Sequence, residues 1–107
     1  SAPKARDRVL TLGALTVNLA EHVVLQGSER VLLTLKEFEL LKYLMQHPQI
    51  VLTRERLLDR VWDITYFGDT RTVDAHIKRI RQKLPQENVP WALKTVYGVG
   101  YRFEVNA

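Results

Sequence analysis

Apolar residues between positions 9 and 33 come in short, Val- and Leu-rich runs: VLTLG, LTVNL, HVVLQ and RVLLT, separated by Gly13, Glu21 and the QGSE turn at 26–29. Runs of this length between turn residues predict strands, and connections this short predict an antiparallel sheet. The period then changes. Thr34 is followed three residues later by Glu37, the spacing of a capping box, in which each side chain satisfies a backbone donor of the other. Phe38, Leu41, Leu44 and Met45 continue at helical spacing, and Pro48 stops that helix. A second helix is predicted from Thr53, with Leu57, Leu58, Val61 and Trp62 on its apolar stripe. DITYFGD at 63–69 breaks the pattern, and Asp69 or Thr70 caps a third helix over 70–84. Val73, Ile77, Ile80 and Leu84 form one narrow buried face there, and Pro85 ends it. LKTVYGVGYRFEV at 93–105 is two alternating runs around Gly98 and Gly100, hence a hairpin. Four strands, three helices and a hairpin make an α+β domain.

The 107 residues suit one domain, with 1–8 read as a linker remnant and 9–107 as the folded unit. Apolar residues at 46% exclude a disordered chain, and the lack of cysteine excludes disulfides and thiolate chemistry. No run approaches the ~20 apolar residues of a membrane span, and a cytoplasmic setting suits the composition. A pI of 9.6 hints at an anionic partner. The excess charge is not spread evenly. TRTVDAHIKRIRQKL at 70–84 carries Arg71, Lys78, Arg79, Arg81 and Lys83 against Asp74, a net charge as large as the +4 of the whole chain.

Stepping about 100° per residue from Val73 places Arg71, Ala75, Lys78 and Gln82 opposite the buried stripe, within roughly 60° of one another, with Arg79 beside them. The helix thus buries one face and presents a cationic ridge. Ala75 in that ridge lets the backbone approach a grooved partner. The major groove of B-DNA, about 12 Å wide, admits such a helix. Charged helix faces are most often simply solvated. Here acids are nearly absent, and Thr70 and Thr72 stand in the first turn, where free backbone N–H groups suit phosphate.

RTVDAHIKRIRQKL followed by TVYGVGYRF, together with LTLKEFELLKYL at 33–44 and LTRERLLDRVW at 52–62, resembles the winged helix-turn-helix DNA-binding domain of OmpR/PhoB-type response regulators. The resemblance covers nearly the whole chain. It implies an N-terminal four-stranded antiparallel sheet, three helices and a C-terminal β-hairpin wing. It also implies sequence-specific binding of double-stranded DNA in transcription regulation, with helix 70–84 in the major groove and wing 93–105 near the minor groove. By position in the family motif, Trp62, Arg71, Thr72, His76, Lys78 and Arg81 match phosphate contacts, Asp74 and Arg79 match base contacts, and Thr95 and Tyr101 match wing contacts to the backbone. The chemistry is suitable: Arg79 can pair with guanine O6 and N7, Asp74 can accept from cytosine N4, and a ring N–H of His76 can donate to phosphate. Relatives often carry Arg at the wing position of Tyr97, and Trp also occurs there. Tyr97 either projects with Val99 at the tip towards DNA or points inward. Trp62 is open between core packing and an indole N–H to phosphate. Tyr101 alternates onto the face of Phe103, which favours a structural role beside its family match.

The family's phosphorylatable receiver half has no counterpart in 1–107, so the resemblance is to the output domain. It implies direct-repeat half-sites occupied through receiver pairing, and contact with RNA polymerase through the loop at 63–69. An enzyme reading lacks a constellation. His22, His47 and His76 are scattered without HExxH spacing, and GVG at 98–100 precedes no helix, so neither a metal nor a cofactor is expected. A protein-docking module is the competing binding reading. Salt discriminates, because phosphate contacts weaken steeply as salt rises.

Overall fold

The computed structural model describes residues 8–62 and 68–106. The expected linker at 1–8 lies almost wholly outside the described residues, as does most of the 63–69 loop.

Strands β1 (Val9–Leu12), β2 (Leu15–Asn18), β3 (Val23–Gln26) and β4 (Glu29–Val31) form a sheet of order β1-β2-β3-β4. Every pairing is antiparallel, with Leu12 opposite Leu15, Val17 opposite Val24 and Gln26 opposite Glu29. Alternation in β2 turns Leu15 and Val17 into the core while Thr16 and Asn18 stay half-buried. His22, between β2 and β3, stacks on Phe38 with ring centroids 4.6 Å apart, which joins the sheet to the first helix.

That helix, α1 (Leu35–Gln46), opens with the capping box expected from the sequence. The Glu37 amide donates to Thr34 Oγ1, and the Thr34 amide donates to Glu37 Oε1 at 3.0 Å. Helix α2 (Arg54–Val61) is capped by Thr53, whose hydroxyl accepts from the Arg56 amide. Helix α3 (Arg71–Lys83) packs on α1 and α2 through Val73, Ile77 and Ile80, with Leu84 buried just beyond it. Of the two cap candidates, Asp69 does the capping. Its Oδ1 accepts from the Arg71 amide at 2.9 Å, whereas Thr70 makes no side-chain cap bond.

Strands β6 (Trp91–Val96) and β7 (Gly100–Val105) form the hairpin, which begins two residues before the expected 93. A two-residue strand, β5 (Leu52–Thr53), was not expected. It pairs with β7 and completes a sheet of order β5-β7-β6. Periodicity has nothing to say about a strand of two residues. Gly100 makes the pairing possible, since a Cβ there would lie 2.0 Å from the Leu52 carbonyl oxygen. At the hairpin tip Gly98 takes φ 77°, and the Val99 amide donates to the Val96 carbonyl.

Candidate nucleic-acid interface

The buried stripe of α3 fixes the helix's rotation, and each other side chain follows from its angle to that stripe. Lys78 and Arg79 are exposed on the outer face, as is Arg71, whose guanidinium pairs with Asp69 at 3.0 Å. The Arg71 amide, then its guanidinium, hold the Asp69 carboxyl below its ordinary pKa. So far the ridge is as its spacing predicts. The flanks are not free in the same way.

On one flank, Arg81 turns to the wing. Its Nη2 donates to the Leu93 carbonyl at 2.8 Å and to Thr95 Oγ1 at 2.9 Å, and Nε donates to the same carbonyl at 3.2 Å. The guanidinium lies 5.6 Å from the Tyr101 ring centroid. Arg81 and Thr95, both expected on the DNA backbone, are bonded to each other, and with the Leu93 carbonyl they hold the hairpin to α3. Asp74, expected at a base edge, is also engaged. Its Oδ1 accepts from Arg54 Nε at 2.9 Å and from the Tyr101 hydroxyl at 2.5 Å. Tyr101 is buried, as its alternation with Phe103 suggests, and its hydroxyl is bonded to the half-exposed Asp74. Burial first, then the Asp74 carboxylate, push the Tyr101 phenol above its ordinary pKa, so it stays a donor.

On the other flank, Lys83 reaches α1. Its Nζ donates to Glu37 Oε1 at 2.6 Å. Burial opposes charge on Glu37, but Lys83, the Thr34 amide and His76 outweigh it and hold the carboxyl below its ordinary pKa. His76 is half-buried, with Nδ1 2.7 Å from the Thr72 carbonyl. A carbonyl only accepts, so Nδ1 carries the proton, and the free ring nitrogen can donate only when the ring is an imidazolium. The phosphate contact expected of a His76 ring N–H therefore requires the imidazolium form. Trp62, at 7% exposure, packs edge-on to His76 with centroids 5.0 Å apart, and Lys36 Nζ lies 6.0 Å over its ring. Its ring belongs to the core cluster.

Tyr97 is 90% exposed at the hairpin tip, with Val99 exposed beside it, so the inward-pointing alternative is excluded. Arg54 was missed altogether. Its place at the start of α2 is visible in the sequence, but nothing local announces a partner in α3.

A cationic helix laid across two others, with a hairpin fastened to its flank, defines a winged helix-turn-helix domain. Residues 27–103 match the family model described as "Transcriptional regulatory protein, C terminal". The chain is 46% identical over 101 residues to the sensory transduction protein RegX3 of Mycolicibacterium smegmatis, covering 94% of this chain and 44% of that protein. Transcriptional regulatory protein SrrA of Staphylococcus aureus is 46% identical over 109 residues, covering all of this chain and 45% of SrrA. Among solved structures, Thermotoga maritima DrrB, an OmpR/PhoB homologue, matches 91% of this chain and 44% of its own at 36% identity and TM-score 0.80. The Klebsiella pneumoniae RstA DNA-binding domain, solved in complex with the RstA box, matches 91% of this chain and 97% of its own at 34% identity and TM-score 0.78. The chain belongs to the OmpR/PhoB family, as a C-terminal, DNA-binding output domain of a response regulator; this family regulates transcription and is not a family of enzymes. It spans less than half the length of the curated relatives quoted.

Proposed function

We propose that α3 enters the major groove of a specific double-stranded DNA sequence, that the β6–β7 wing approaches the adjacent minor groove, and that binding regulates transcription. The observation that carries this is the exposed ridge of Arg71, Lys78 and Arg79 on a helix whose opposite face is fully buried. A ridge so anchored presents a fixed geometry of donors, which specific recognition needs and a solvated face does not. Arg71, Thr72, Lys78 and imidazolium His76 serve phosphates; Arg79 reads a base; Tyr97 packs on the sugar–phosphate edge. The complex of the RstA relative with its DNA box supports the reading. In the parent protein, a receiver domain pairs two such domains on direct-repeat half-sites, and residues 63–69 face RNA polymerase.

Selection of bound duplexes from a random pool tests this. A recurring half-site, bound with an affinity that falls steeply as salt rises, is the expected result. No enrichment, or binding to a protein partner indifferent to salt, would point instead to a docking module.

A further inference from the structure

Arg54 follows β5 directly, and β5 is bonded to β7 with Leu52 opposite Tyr101. That register brings Arg54 and Tyr101 to one acceptor, Oδ1 of Asp74, with Nε at 2.9 Å and the hydroxyl at 2.5 Å. The node joins α2, α3 and the wing. Asp74 lies three residues after Arg71 and four before Lys78, so it borders the cationic ridge. A carboxylate at that place repels a polyanion, and its charge calls for a use.

The use is on Arg54. Asp74 takes Nε, the Tyr101 hydroxyl also lies within hydrogen-bond reach of the guanidinium, and the side chain is still 34% exposed. The guanidinium is therefore held by two neighbours with part of its edge open to solvent, beside the cationic ridge. A long side chain fixed in advance loses less rotamer freedom when it takes a ligand.

We propose that Arg54 is a further phosphate ligand of the DNA interface, that Asp74 is its positioning residue, and that the Tyr101 hydroxyl locks the carboxylate in place. The proposal rests on the DNA-binding reading above and replaces the base contact expected of Asp74. It makes a prediction with an unusual sign. Plain electrostatics says that removing a negative charge beside the ridge strengthens binding to DNA. Positioning says the opposite for as long as Arg54 is present.

The test is a double-mutant cycle: wild type, Arg54→Gln, Asp74→Asn and the double variant, bound to the selected duplex across a salt series. Arg54→Gln is expected to weaken binding about tenfold and to lower the salt slope by about one. Asp74→Asn is expected to weaken binding in the wild-type background and to leave it unchanged or tighter in the Arg54→Gln background. Circular dichroism melts report folding. Should Asp74→Asn fail to fold, Tyr101→Phe and Arg54→Lys carry the test. The first removes only the hydroxyl, and is expected to weaken binding with the salt slope kept. The second keeps the charge but not the planar fork, with the same expectation. Asp74→Asn that tightens binding equally in both backgrounds, Tyr101→Phe or Arg54→Lys indistinguishable from wild type, or Arg54→Gln with an unchanged slope would each overturn the proposal. A wild-type protein that binds no duplex would instead overturn the DNA-binding reading itself.

Discussion

Replacing Lys83 with Met removes the ammonium facing Glu37 while keeping an unbranched stem of similar length. Glu37 is 1% exposed, and its other partner is the Thr34 amide of the capping box. Removing one member of a buried ion pair costs about 3–5 kcal/mol. Lys83 is itself 37% exposed, so part of its attraction is screened by water and the figure must be lowered. There is also a ceiling. The stranded carboxylate can take a proton, which at pH 7, from an ordinary pKa near 4.3, costs about 3.7 kcal/mol. The expected loss is therefore about 2–4 kcal/mol at pH 7, a large share of the 5–15 kcal/mol typical of a domain. Its pH dependence is the sharper test. In the wild type the folded-state pKa of Glu37 is lowered, so its contribution is present above the unfolded-state value and is lost as pH falls through the folded one. In the variant, burial without a cation raises it, so protonation favours the folded state and that help disappears as pH rises. The gap between the two proteins should narrow from pH 7 towards pH 4. Urea unfolding followed by the fluorescence of buried Trp62 and Trp91 measures it. Equal midpoints at pH 7, or a gap constant down to pH 4, would refute the coupling.

Four further outcomes follow from single positions. Gly100→Ala drives a Cβ against the Leu52 carbonyl at 2.0 Å and should cost about 1–3 kcal/mol or prevent folding, read by thermal melting; an unchanged melt would mean that β5 gives way freely. Tyr97→Arg, at an exposed hairpin tip, should leave stability unchanged, tighten DNA binding and introduce a preference for A·T-rich flanks; superimposed curves on A·T- and G·C-flanked sites would place the tip away from DNA. Lys78→Ala should weaken binding to all duplexes alike and lower the salt slope by about one, whereas Arg79→Ala should cost ~1–3 kcal/mol on the selected site and relax one base position. Uniform loss with Arg79→Ala would make it a phosphate ligand too.

The sequence alone determined the order of elements, the Thr34–Glu37 box, the stripe of Val73, Ile77 and Ile80, and the cationic face opposite it. These are local properties: a cap acts across three residues, and a helical face is set by spacing within a few turns. Even the cap of α3 was narrowed to two neighbours, and the choice between Asp69 and Thr70 fell to which side chain reached the first free amide. The tertiary structure alone decided how the flanks of that helix are used. Asp74 meets an arginine 20 positions away, and Lys83 meets a glutamate 46 positions away. Arg54 joins Tyr101 at Asp74 where a two-residue strand is drawn against β7 at a glycine. No period or propensity encodes such pairings. They arise when packing of the apolar stripes fixes the elements' relative rotation, and that rotation separates the charges spent on holding the wing and helices together from those left facing outward.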